Sequence, residues 1–342
     1  MKKFFLFIAI LISGNMGFPQ VPPGYYNTAE NLSGEPLRTA LYNIINGHSI
    51  KDYSALWSYF QTTDNNGGIV WDMYTDNPSG TTTYTYNFGS DQCGNYNAEG
   101  DCFNREHSFP KSWFNDASPM YSDLFHLYPT DGWVNGKRGN YPYGEVNSPT
   151  YTSSNGSKLG SNVYPGYSGI VFEPIDAYKG DFARTYFYMV TRYKNVASNW
   201  TSDMLSGDNL SGWAKTMLIS WVALDPVSQK EIDRNNAVHD VQGNRNPFID
   251  MPNWIDYIWG PTASVSDIEN PQLIMYSVNG LLHINNFSSE KVSLNIVNML
   301  GATVKEISIQ QGESRVELDF PKGVYVASSS LEGRLYTLKF IR

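Results

Sequence analysis

Glu106 and His107 stand side by side in the stretch Asn104-Arg105-Glu106-His107-Ser108-Phe109-Pro110-Lys111-Ser112-Trp113-Phe114, an aromatic-rich segment without helical periodicity. A second polar stretch, from Asp123 to Tyr141, carries His126, Asp131, Asn135, Lys137, Arg138 and Asn140. Together they supply what phosphodiester hydrolysis needs: a base for water, a cation to take up charge on oxygen, and groups that hold the phosphate. His107 can be the base, since a neutral imidazole is available at neutral pH. Glu106 offers a hard oxygen ligand and Asn140 another through its amide carbonyl, a set suited to magnesium with several waters left in place. Manganese and calcium are the alternative ions. Lys111, Lys137, Arg138 and Arg245 are candidate phosphate contacts, and Asn135 a further substrate contact. A lone Glu-His pair, or an Asn in a Gly-rich turn, is more often structural, so the combination carries the reading.

The chain has 342 residues, 41% of them apolar, 17% charged and 15% aromatic, enough for two domains with real cores. Its net charge of −9 argues against a protein that coats nucleic acid through Lys and Arg. A nuclease with a locally basic cleft remains compatible, because a bound divalent cation adds positive charge that the formal count omits. Lys2 and Lys3 precede an apolar run from Phe4 to Ile12 and then small and polar residues to Gln20, the pattern of a signal peptide over 1–20. No other stretch is long and apolar enough to span a membrane. Cys93 and Cys102, the two cysteines present, flank a Gly- and Asn-rich loop just before Glu106, and in an exported chain they are expected to form a disulfide that stiffens the entry to the site.

Elements that must position these groups follow from the periodicity. Leu37, Ala40, Leu41, Ile44 and Ile45 form one face of a helix over 36–46, with Pro36 in the first turn, and a second helix is expected over 53–61. Residues 69–74 look like a buried strand, and 141–169, with little periodicity, like an ordered surface loop. Helices are expected over 181–193 and 210–223, and a third capped by Asp225 with Pro226 at its first position, running to about His239. From Gly260 to Asn270 the composition shifts to Pro, Thr, Ser and Asp, a linker. Beyond it Val292/Leu294/Ile296, Ile307/Ile309, Val316/Leu318/Phe320 and Val324/Val326 alternate with polar residues, which predicts a small β-sandwich. The expected division is a catalytic domain over 21–262 and a linker with β-sandwich over 263–342.

The segments 105–114 and 123–141 resemble the bacterial endonuclease I family, secreted or periplasmic nucleases built on the ββα-metal (His-Me finger) motif. Phe172-Glu173-Pro174, Lys179 to Arg184, Asp225 to Ser228 and Gln242 to Asp250 match further motifs of that family in order, so the resemblance covers most of 24–259. It implies an α+β fold: a ββα-metal core with surrounding helices. It also implies His107 as general base, Glu106 as the carboxylate ligand, and Asn140 as the amide ligand on the finger's helix. Family members with a long insertion between these points carry a product-binding arginine in it. That insertion is absent here, which leaves Arg138 or another residue to take over. The products implied carry 5′-phosphates, the substrate is DNA with RNA as an alternative, and the enzyme is expected to be a monomer. The region from about 271 resembles the type A sorting domain of the type IX secretion system, in Val297 to Gly301, Lys322 to Tyr325 and the basic end Lys339 to Arg342. Its implied partner is the secretion machinery, and a secreted or surface-attached location follows.

Three other classes fit less well. A zinc peptidase lacks its His-Glu-x-x-His motif. A carbohydrate-active or carbohydrate-binding protein would account for the aromatic residues and the acidic charge but leave 135–140 without a role. A structural surface protein would not cleave plasmid DNA.

Overall fold

The computed structural model describes residues 21–260, 272–278, 281–298, 301–331 and 334–342. The expected signal peptide over 1–20 and the expected linker lie outside the described residues, apart from the linker's first residue, Gly260. The chain divides into two compact units, one ending at Gly260 and one beginning at Pro261, the first of mixed helix and sheet and the second all β.

In the first unit α1 (Gly34–Ile45) buries Leu37, Leu41 and Ile45, spaced four apart on one stripe. A short 3-10 turn (Tyr53–Ala55) leads into α2 (Leu56–Thr63), which buries Leu56 and Phe60. The strand expected over 69–74 is only Ile69–Val70. The Asp72 carboxylate accepts the Tyr74 N–H at 2.7 Å and turns the chain there.

The unit's longest helix, α4 (Asp176–Arg192), starts five residues before the expected boundary and is buried along almost its whole length. Its charged residues beyond Asp176 therefore point into the interior, where Asp181 pairs with Lys230 and Arg184 with Glu231. An interior helix with buried ion pairs lacks the apolar stripe that marks a surface helix, hence the late start read from sequence.

Helix α5 (Gly212–Leu224) follows the expected span closely. Helix α6 (Gln229–Gln242) is capped by Ser228, not Asp225: Ser228 and Glu231 form a reciprocal capping box. The Asp225 carboxylate instead accepts the Gly180 N–H of α4. Residues 141–169, expected as loop, contribute two strands of an antiparallel sheet made by Val146–Thr152, Lys158–Asn162 and Ile170–Glu173. In the first of these strands only Val146 is buried, and its register slips around Pro149, so the alternation that marks a strand is missing from the sequence.

The second unit has two antiparallel sheets. One orders Leu273–Val278, Leu281–Asn286 and Gly312–Glu317. The other orders Thr303–Ile309, Val292–Asn298, Val324–Leu331 and Arg334–Ile341. Leu282 and Ile284 from the first share one core with Leu294, Ile296 and Phe340 from the second. Alternation holds except that Tyr325 and Ala327, not Val324 and Val326, face inward. The Tyr325 ring fills the core against Phe320 at 4.4 Å, and its hydroxyl reaches the Pro321 carbonyl at the rim.

Candidate active site

Strands β1 (Phe103–His107) and β2 (Leu127–Asp131) pair antiparallel, Glu106 opposite Tyr128 and His107 opposite Leu127. Helix α3 (Gly132–Arg138) begins directly after β2, with Asp131 as its N-cap. One Asp131 oxygen accepts the Val134 N–H, and the other accepts the hydroxyls of Tyr84 and Tyr86 and the Gly100 N–H. The strand-to-helix corner is thereby tied to the preceding loop.

That loop is closed by a Cys93–Cys102 disulfide, and it lays the Tyr96 ring against α3. A Cβ at Gly132 or Gly136 would lie 2.6 Å from Tyr96 atoms, so these two glycines in a short helix are what let the ring approach.

Asn135 and Arg138, one turn apart on α3, face β1 and meet its alternate residues Asn104 and Glu106. Asn135 Nδ2 donates to Asn104 Oδ1 at 2.6 Å, and Arg138 Nη1 lies 3.2 Å from Glu106 Oε1. Glu106, 2% exposed, also accepts the Tyr74 hydroxyl on Oε1 at 3.0 Å. Among the described residues Glu106 Oε2 and Asn135 Oδ1 accept no hydrogen bond. Burial pushes the Glu106 carboxyl up from its ordinary value, against the opposing pull of Arg138 and of the Tyr74 hydroxyl. A carboxylate oxygen and an amide carbonyl, both free, are hard donors of the kind that suits a small divalent cation keeping most of its waters. Among the described residues no group of three His, Cys, Asp or Glu forms an all-ionic metal cage.

His107 ends β1, buried, with aromatics around its ring: Tyr53 stacked at 5.7 Å, Tyr121 at 5.3 Å and His126 at 5.4 Å. Its Nε2 lies 3.0 Å from the Tyr121 carbonyl oxygen. A carbonyl only accepts, so Nε2 carries the proton and Nδ1 the lone pair. Burial, reinforced by His126, Lys111 and Arg105, holds the imidazole well below its ordinary range despite the Tyr121 carbonyl, which favours the charged form. The ring is neutral at neutral pH.

Other residues singled out from sequence fall elsewhere. Asn140 is not on the helix: α3 ends at Arg138, Gly139 turns the chain at φ 53°, and Asn140 lies exposed beyond it. Arg138 is 1% exposed, and its guanidinium donates to the carbonyls of His107 and Ser108, so it braces the site from inside and cannot reach out to a phosphate. Arg245 is buried and held by both oxygens of Asp250, with Asn236 on a third contact, which removes it as a phosphate contact. Lys111 is exposed and paired with Asp116 at 2.5 Å, while Lys137 lies over the Trp133 ring. Asn104, Tyr53, Tyr74 and Tyr121 were not foreseen. Two-residue alternation from Glu106 could have pointed to Asn104, but the tyrosines arrive from separate segments.

The site sits in the part of the chain that belongs to the Endonuclease I family, whose model matches residues 33–253. The protein is an endonuclease, and residues 278–342 match a Secretion system C-terminal sorting domain, which marks it for secretion. An extracellular ribonuclease of Bacillus amyloliquefaciens is 36% identical over 243 residues, covering 69% of this chain and 78% of the relative. Its counterpart in Bacillus subtilis is 33% identical over 244 residues with the same coverage. An Endonuclease-1 from Buchnera aphidicola is 30% identical over 129 residues, 37% of this chain and 44% of that protein. No helix among the described residues is long and apolar enough to cross a membrane.

Proposed function

We propose that this secreted enzyme is a divalent-metal-dependent, non-specific endonuclease of the His-Me finger type, acting as a monomer on DNA and RNA. The observation that supports it best is the His107 tautomer: its proton is tied to the Tyr121 carbonyl, which leaves the Nδ1 lone pair to accept a proton. In this reading His107 Nδ1 takes a proton from the attacking water, and the Tyr121 carbonyl stabilises the imidazolium that results. Glu106 Oε2 and Asn135 Oδ1 would hold the cation, magnesium in the first place with manganese or calcium as alternatives. When bound, the ion stabilises negative charge on the phosphate and on the departing 3′ oxygen. Arg138 and Tyr74 hold the Glu106 carboxylate in place through its other oxygen. With Asn135 on α3, this ligand pair replaces the Glu106 and Asn140 pair expected from sequence.

Water is the nucleophile, so no 2′-hydroxyl is required, and departure of the 3′ oxygen, which takes up a proton, gives 5′-phosphate and 3′-hydroxyl ends. Relatives named ribonucleases and deoxyribonucleases both align with this chain, in keeping with a site that selects the phosphodiester and not the sugar. The test is cleavage of supercoiled plasmid and of structured RNA with and without chelator. Both substrates should be cut, and chelator should abolish both activities. Undiminished cleavage in excess chelator would remove the metal from the mechanism, and an enzyme inert on both substrates would remove the function.

A further inference from the structure

Resting on that reading of the site, we propose that Arg105 is the residue that grips the scissile phosphate beside His107. Arg105 and His107 are two apart on β1 and so share a side of the strand, about 7 Å apart along it. The Tyr53 ring touches both: it stacks on His107, and the Arg105 guanidinium carbon lies 3.7 Å from its centroid. The same guanidinium lies 4.4 Å from the centre of the Trp57 ring and donates Nη1–H to the Tyr53 carbonyl at 2.7 Å. Stacking and one hydrogen bond thus fix the plane of a half-buried group that has five donors, most of them unspent. A guanidinium held flat in this way loses little further freedom when it binds two oxygens of a phosphate.

The other cations of the two motifs are already engaged, as are the buried arginines of the later helices. Arg138 and Arg245 are buried against Glu106 and Asp250, as Arg184 and Arg234 are against Glu231 and Asp64. Lys111 is paired with Asp116. Lys137 lies over Trp133, on the side of α3 turned away from Asn135. Arg105 makes no ion pair with a carboxylate among the described residues. An arginine kept beside the catalytic base without a counter-ion suits a site whose counter-ion arrives with the substrate.

The experiment compares Arg105→Gln, Arg105→Lys, Lys111→Gln and His107→Ala with the wild-type full chain. It reads kcat and KM on a defined DNA oligonucleotide, thermal melting, and, in the His107→Ala background where turnover is lost, the salt dependence of oligonucleotide binding. Arg105→Gln should lower kcat about 100-fold, the cost of losing one donor to the transition state, and reduce the slope of log affinity against log salt by about one. Arg105→Lys should keep the slope yet remain at least about tenfold slow, since an ammonium cannot chelate two oxygens. A merely structural role would move the melting temperature and leave the salt slope alone. Wild-type kcat and slope in Arg105→Gln would overturn the proposal, as would a larger loss in Lys111→Gln. Should Arg105→Gln fail to fold, Arg105→Lys decides, and wild-type kcat there would also overturn it. Near-normal cleavage by His107→Ala would instead overturn the reading of the site on which the proposal rests.

Discussion

Asn135 donates its side-chain amide to Asn104 across 2.6 Å, tying the helix that follows β2 to the strand that carries Glu106 and His107. Because the NH2 end of Asn135 is committed to that bond, its carbonyl oxygen is the end left for a ligand. Asn135→Ala should therefore raise the magnesium concentration for half-maximal rate, and Asn104→Ala should raise it about 10- to 100-fold by freeing the ligand to rotate. Asn140→Ala, beyond the helix, should titrate like wild type. A magnesium titration of all three checks this, and a shift in Asn140→Ala alone would restore the assignment made from sequence.

Arg138 and Glu106 form an ion pair in which neither side chain is more than 2% exposed. Removing the cation leaves a buried carboxylate without its charged partner and the His107 carbonyl without the Arg138 donor, while the Ser108 carbonyl keeps the Tyr186 hydroxyl. Arg138→Ala should lose about 3 to 5 kcal/mol of stability, measurable as the midpoint of urea unfolding. A midpoint within error of wild type would mean that Arg138 does not brace the site.

What could be read from the sequence was what is local. The Glu106-His107 pair, the Cys93–Cys102 bridge and the alternating strands of the second unit need only neighbours along the chain. Choosing between Asn135 and Asn140 required knowing where α3 starts and stops. Its start is set by Asp131, whose carboxylate is gathered by Tyr84, Tyr86 and Gly100 from a distant loop, and its end by the turn at Gly139. Arg138 sits beside Lys137 in sequence, yet one is buried and the other lies over an aromatic ring, a difference of helical phase that two adjacent basic residues do not display. The strand before 153–157 was illegible because its exposed residues outnumber its single buried one, and the strand after it because only the side-chain-poor Gly160 and the polar Asn162 are buried.

The Asp123 carboxylate is buried and accepts the hydroxyls of Tyr188 and Tyr193, the Gln242 amide and the Phe125 N–H. Burial alone would raise its pKa, but the charges of His48 and His126 and these hydrogen bonds reverse that and hold it at about 2, below the ordinary 3.8. A depressed carboxylate contributes stability above its unfolded pKa and loses it as pH falls through the folded one. The contribution, about 2 kcal/mol, should therefore disappear between roughly pH 4 and pH 2. Unfolding free energies of wild type and Asp123→Asn across that range test it. Their difference should shrink as the pH drops, and a difference independent of pH would refute the assignment.

Every residue placed at the site lies before Gly260, in the first compact unit. A chain ending at Gly260 should keep wild-type specific activity once purified, and in a host that uses the sorting domain it should stay behind in the cells. Activity assays on medium and cell fractions for both forms check the division. Loss of specific activity in the purified short form would show that the second unit belongs to the enzyme.

The most direct test of the account is single-turnover cleavage of supercoiled DNA by His107→Ala at saturating magnesium, with folding verified by circular dichroism. If His107 is the base that activates water, the rate should fall by at least about 100-fold, the lower end of a general base's contribution, while the magnesium dependence set by Glu106 and Asn135 stays close to wild type. A folded variant that cuts at the wild-type rate would contradict the account.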